Sequence, residues 1–184
     1  DPPVKLSVEQ VRHTQLCTTL EFGNNRLATV EHLLAALAGC GLTHINIEVT
    51  GEEIPLLDGS ALGCVEAIAE GGIVKASTHR LPPFEITQPL TIYRGKSLIV
   101  ATPAEKFALI GVIDFPYPAI GTQAFSITLT PRSFIEEIAP ARTFGFFDQL
   151  EQLKKAGLIK GGALENALVC NGDDWMNPPL RFKE

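Results

Sequence analysis

Hydrophobic and polar positions along the chain switch repeatedly between two periods, and each switch predicts a short element. Residues 17–22 (CTTLEF) predict a strand that ends in a turn at Gly23-Asn24-Asn25. Over 30–38 the period lengthens. Val30, Leu33, Leu34 and Leu37 fall on one stripe of a helix, with Thr29 as its expected N-cap and Gly39 and Gly41 at its end. Ile45, Ile47 and Val49 then alternate with Asn46, Glu48 and Thr50, the period of two that a half-buried strand shows. A second helix is expected over 61–70, with Ser60 as its cap and Gly71-Gly72 closing it.

Charge, Ser/Thr and two prolines break the pattern over 75–83 (KASTHRLPP), the best linker candidate. Beyond it, strands are predicted near 85–93, 97–102, 107–115 and 124–130. Thr130-Pro131 reads as a helix start with Pro at the first helical position, running to about Ile138. A further helix is expected from Phe144 to about Ala156, capped at Gly157, and then a strand at 166–169. No repeat or low-complexity tract occurs. Strands and helices alternate without a strict βαβ rhythm, so the expected class is α+β layers, in two domains of residues 1–80 and 81–184.

Composition narrows the function. The 184 residues carry 15 Lys+Arg against 21 Asp+Glu, a formal charge of −6. That balance argues against a nucleic-acid partner, whose footprint is a basic patch. No apolar run is long enough to span a bilayer. Cys17, Cys40, Cys64 and Cys170 stand far apart with no CxxC pair, which predicts a reduced, intracellular and cytoplasmic protein and small buried thiols.

Among the four histidines, His13 and His79 lie in polar surroundings, and His44 falls on the polar face of its predicted strand with Asn46 and Glu48. His32 differs, because it follows Glu31 in the first turn of a helix. Both side chains emerge at the N-terminal end, about 100° apart around the axis. A helix N-terminus favours negative over positive charge, and a neutral imidazole is the form that binds a metal. A carboxylate beside a metal-bound water is the arrangement of a general base in metal-assisted hydrolysis. Against this, acidic residues are common in any first helical turn, one His is not a zinc site, and no HExxH or HxxEH pairing occurs. Thr143, in Ala141-Arg142-Thr143-Phe144-Gly145, is expected at a helix start, either as a simple N-cap or as a donor to a developing oxyanion. Gly161-Gly162 is too short for a phosphate loop.

Four segments together are more specific than any one. Thr29 to Leu37 (TVEHLLAAL), Glu53 to Ser60 (EIPLLDGS), Ala141 to Phe146 (ARTFGF) and Gly157 to Asn166 closely resemble the zinc-dependent UDP-3-O-acyl-N-acetylglucosamine deacetylases, in order and in spacing. The similarity runs along essentially the whole chain, including Leu16-Cys17-Thr18 and Ile113-Asp114-Phe115. It implies two α+β domains facing one another across the active site. It also implies removal of the acetyl group from a UDP-linked, 3-O-acylated glucosamine in lipid A synthesis. Glu31 matches the family's general base, His32 one of three zinc ligands, and Thr143 the hydroxyl that stabilises the oxyanion. Phe144 and Phe115 match aromatic positions that contact substrate. Lys96, with a spacing different by one, matches a basic residue near the diphosphate, and Cys17 a cysteine near the metal. Phe147, Ile159, Ala163 and Leu164, with Gly162 among them, fall where the family builds its apolar passage for the acyl chain.

The sequence departs from the family in one respect. The HxxxD motif that holds the other two zinc ligands, and the later His that serves as acid, are not in these 184 residues. A Zn2+ site is therefore expected to be incomplete, and the chain to be an internal part of a larger enzyme with little activity alone. The alternative is a non-catalytic binding or scaffold module that kept the fold and lost the metal. A metal-free Glu31–His32 dyad is a poor third, since adjacent helical residues do not face each other.

Overall fold

The structure, a computed structural model, describes residues 3–75, 84–155, 157, 159, 162–177 and 180–182. The expected linker over 75–83, apart from Lys75, lies outside the described residues, as does His79. The described elements make a mixed α+β fold.

Strands β1 (Val11–His13), β2 (Thr19–Phe22) and β3 (Asn25–Leu27) form an antiparallel meander. Its buried side is Leu20, which packs with Val30 and Ile54 and is flanked by Leu27, Leu33 and Leu34. Helix α1 (Glu31–Gly39) therefore offers Leu33 and Leu34 to this small sheet and Ala36 to a second cluster. That second cluster joins Ala36 to Ala61 and Val65 of helix α2 (Leu62–Gly71) and to Phe134 and Ala139. Packing on two sides explains why one narrow apolar stripe under-describes α1.

Two hairpins follow, β4 (Leu90–Arg94) with β5 (Ser97–Ala101) and β6 (Ala108–Asp114) with β7 (Thr122–Thr128). Helix α3 (Pro131–Ser133) begins as its sequence predicts. Thr130 caps it in a reciprocal capping box with Ser133, Pro131 sits in the first turn, and a π-helical turn, Phe134–Ile138, carries the chain on. The last sheet has the order β10-β9-β8, from β8 (Phe144–Phe146), β9 (Leu168–Asn171) and β10 (Asp174–Trp175). Strands β8 and β9 are parallel, and α4 (Leu150–Lys155) lies in the crossover between them.

Four expectations are corrected. Ile45, Ile47 and Val49 are exposed, and residues 44–50 belong to no strand among those described. Alternation states which face a strand would bury, not whether a partner edge lies beside it. Phe144 opens a strand rather than a helix, so Thr143 is not an N-cap. Aromatic residues at 144 and 146 suit a pleated ladder and override the helical continuation that begins only at Leu150. Thr29 does not cap α1 either. It has φ +60° and gives its hydroxyl to Glu53 Oε1 at 2.8 Å, while Val30 takes the cap position without a side-chain bond. Ser60 stands one residue outside the α2 cap, though its Oγ does accept from the Leu62 N–H at 3.2 Å.

Gly39 sits where α1 meets Phe134, and a Cβ there would overlap the Phe134 ring. Relief of glycine's conformational entropy would gain up to about 1 kcal/mol, but overpacking costs about 1–3 kcal/mol. The ring is itself buried among Ala36, Ala61 and Ala139 and has little room to yield. Gly39→Ala is thus expected to lower the thermal midpoint; an unchanged or raised midpoint would show that the ring can move aside.

Candidate functional site

The N-terminus of α1 presents the first group of candidates. Glu31 is the first helical residue and is exposed, and its Oε1 accepts from the backbone N–H of Thr18. This bond lays the Cys17-Thr18 segment across the start of the helix. Thr29 N–H donates to the Thr18 carbonyl at 3.1 Å and ties the segment down again. Cys17 and His32 are both half-buried there. Cys17 thus adjoins Thr18, the residue that Glu31 holds, and His32 follows Glu31 in the helix.

The second group surrounds Thr143. Its N–H donates to the Gly59 carbonyl at 2.7 Å, and its own carbonyl accepts from Leu168 N–H at 2.9 Å. Next to it, Arg142 donates from Nε to the Asp58 carbonyl at 2.8 Å and from Nη2 to the Glu165 carbonyl at 2.7 Å. The Asp58 carboxylate accepts from Ser60 N–H and Oγ–H through Oδ1 and from Arg181 Nη2 at 2.6 Å through Oδ2. Arg181 Nη1 donates in addition to the Pro140 carbonyl at 2.9 Å. Burial pushes the Asp58 carboxyl upward, but the bonds from Ser60 and Arg181 outweigh it and hold it below its usual value. No hydrogen bond among the described residues joins Glu31 or His32 to Thr143.

The third group is aromatic. The loop between β6 and β7 brings Phe115 edge-on to Phe144, with centroids 5.6 Å apart. Tyr117 from the same loop stacks on Phe146 at 4.3 Å, and Trp175 meets Phe144 at 6.3 Å. The Tyr117 hydroxyl donates to Asp148 Oδ2 at 2.8 Å, which raises its pKa. A cavity of about 240 Å³ lies against this cluster, lined by Ile113, Ile120, Arg142, Phe144, Trp175 and Phe182 among others. Ligand pockets usually start near about 300 Å³, so this one has room for a ring system rather than a whole nucleotide sugar.

The remaining candidates are dispersed. Lys96 is exposed, in the turn between β4 and β5 beside Gly95. Phe147 and Leu164 are exposed, and Ile159 takes φ +51° with its carbonyl accepting from Gly162 N–H at 3.0 Å. Ala163 N–H donates to Asn166 Oδ1 at 2.8 Å.

Sequence patterns did not point to Arg142, Arg181 or Asp58 as a connected set, nor to Tyr117, Phe146 and Trp175. The available signal was a lone guanidinium between uncharged neighbours, in Leu180-Arg181-Phe182 and again in Ala141-Arg142-Thr143. A charge so placed implies a partner.

A catalytic zinc usually takes three protein ligands. His32 supplies one imidazole, and the described residues gather no group of three or more His, Cys, Asp or Glu able to hold a metal. The donor set among these residues does not fit a complete zinc site. All four cysteines are free thiols, and burial raises the pKa of Cys40 and Cys64. No helix among the described residues is long and apolar enough to cross a membrane.

A carboxylate and an imidazole at one helix start, and a threonine locked between two loops, thus stand in one α+β chain. The chain belongs to the UDP-3-O-acyl N-acetylglycosamine deacetylase family, whose model matches residues 1–184. It is 50% identical over 185 residues to a UDP-3-O-acyl-N-acetylglucosamine deacetylase of Nostoc sp., covering 98% of this chain and 66% of the relative. A protein of the same description from Thermosynechococcus vestitus is 47% identical, covering 100% and 63%. A probable mitochondrial deacetylase of Arabidopsis thaliana is 38% identical, covering 98% and 60%. The chain thus spans about two thirds or less of the length of these curated relatives.

Asp58 yields a prediction about stability. A depressed carboxyl pKa contributes stability at neutral pH that is lost as the pH falls through the folded-state value. Because both partners of the Asp58–Arg181 pair are more than a third exposed, the contribution is about 1 kcal/mol rather than more. Urea unfolding of Asp58→Asn is expected to show reduced stability at pH 7, with the difference from the native chain shrinking in acid. A difference that grew in acid would contradict this assignment.

Proposed function

We propose that this chain is the base-bearing and oxyanion-binding part of a cytoplasmic, zinc-dependent deacetylase. It acts on UDP-3-O-acyl-N-acetylglucosamine in lipid A biosynthesis. The observation that carries the reading is membership of the deacetylase family along residues 1–184, with Glu31 exposed at the first position of α1.

Glu31 acts as general base. Its carboxylate takes the proton of the attacking water, and the Thr18 N–H steadies it in place. Thr143 donates its hydroxyl hydrogen to the amide oxygen as that oxygen gains negative charge. The departing amine requires an acid from outside these candidates. His32 offers one imidazole to Zn2+, and the described residues do not supply a complete site. Phe115, Phe144, Lys96 and Cys17 contact the UDP-sugar. Phe147, Ile159, Gly162, Ala163 and Leu164 line the acyl passage. The chain divides near residue 80 into two α+β domains. The cluster of Ala36, Ala61 and Val65 with Phe134 and Ala139 gives the two a shared packing surface.

Metal analysis and a deacetylation assay on the full-length gene product test the reading. Glu31→Ala is expected to lower kcat by about 10²–10⁴-fold, the usual range for a positioned acid or base. His32→Ala is expected to lose both metal and activity. Full activity in both variants would overturn the site. The 184 residues alone are expected to show little or no deacetylation and only weak zinc binding. A titration giving tight one-to-one zinc binding would refute the incompleteness of the site.

A further inference from the structure

Thr143 is held from both sides of its backbone, through Gly59 and Leu168. Its methyl group stands beside Gly59, close enough that a Cβ built there would come 3.4 Å from Thr143 Cγ2. A β-branched side chain has few χ1 wells, so the well that places the methyl beside Gly59 also sets the direction of Oγ1. That hydroxyl makes no hydrogen bond among the described residues.

The turn beside which the methyl stands is itself held. Gly59 is buried with φ +84°, and any larger residue would strike the Asn166 carbonyl. One planar guanidinium, that of Arg142, donates to the carbonyls of Asp58 and Glu165. It therefore ties together the two loops that clamp Thr143 from opposite sides. The Asp58 carboxylate, held by Ser60 and Arg181, keeps the first loop closed.

We propose that Arg142 and the Asp58-Gly59-Ser60 turn are positioning residues that set the Thr143 side chain, so that its hydroxyl meets the substrate oxygen as charge develops there. The inference rests on the reading of Thr143 as the oxyanion donor. A lysine at position 142 keeps the charge but lacks the fork needed to reach two carbonyls. Displacing a reacting group by about 1 Å can lower a rate by about 10²-fold.

The test is a double-mutant cycle on the full-length gene product, with kcat and KM read separately and folding checked by circular dichroism and melting. Thr143→Val should lower kcat by about 10²–10³-fold, as for loss of one oxyanion donor. Arg142→Lys should lower kcat by about tenfold or more with KM little changed. The double variant should be no slower than Thr143→Val, because Arg142 acts through the hydroxyl already removed. Thr143→Ser, which keeps the hydroxyl and loses the methyl, should fall between wild type and Thr143→Val. If the two losses multiply in the double variant, or Thr143→Ser matches wild type, the positioning role is wrong while Thr143 remains the donor. If Thr143→Val alone keeps full kcat, the donor reading itself fails and the positioning role with it. Should Arg142→Lys not fold, Asp58→Asn enters the same cycle with the same expected non-additivity.

Discussion

A single carboxylate and two guanidiniums let four remote segments of this chain meet without regular secondary structure. Asp58 and Arg142 are 84 positions apart, and Asp58 and Arg181 are 123. Where such segments meet, the backbone carbonyls of Asp58, Pro140, Leu164 and Glu165 point away from any ladder and need donors. Arginine carries five N–H groups in a fixed plane, so Arg142 and Arg181 between them supply all four. Isolated surface ion pairs contribute little. The effect here comes from charge-assisted bonds to several acceptors at once, with Ser60 almost fully buried beneath them.

Local signals in the sequence reached as far as local physics does. The Thr130-Pro131 start, the glycine end of α2 at Gly72, the hairpins and the position of α1 are all fixed by residues within a few places of one another. The errors fall where a distant partner decides. Residues 45–49 have the alternation of a strand but no neighbour to complete it among the described residues. Phe144-Gly145-Phe146 becomes a strand because β9, more than 20 residues later, lies parallel to it.

The candidate site divides in the same way. Glu31 and His32 are readable at a helix start, since one short segment places them. Phe115 and Phe144 stand together only after the β6–β7 hairpin folds back on β8. Thr143 is expected at a helix start, as an N-cap or an oxyanion donor, but it precedes a strand. What holds it is a glycine carbonyl from another part of the chain. For Lys96, Ile159, Ala163 and Leu164 the expected roles rest on family resemblance rather than on any local pattern.

The two candidate reacting groups are connected through small residues rather than through direct contact. From Glu31 the route runs along α1 to Ala36, which packs with Ala61, Val65, Phe134 and Ala139. The Ala61 N–H donates to the Ala139 carbonyl at 3.0 Å, and two residues before Ala61 is Gly59, the partner of Thr143. Ala36, Gly39, Ala61 and Ala139 carry little or no side chain, so the backbones approach closely and small displacements have few rotamers in which to dissipate. A larger residue at any of them would have to displace one of these backbones or the Phe134 ring. The spacing of Glu31 and Thr143 therefore rests on core alanines and glycines as much as on the polar groups themselves. Substitutions there should be judged by their effect on rate as well as on stability.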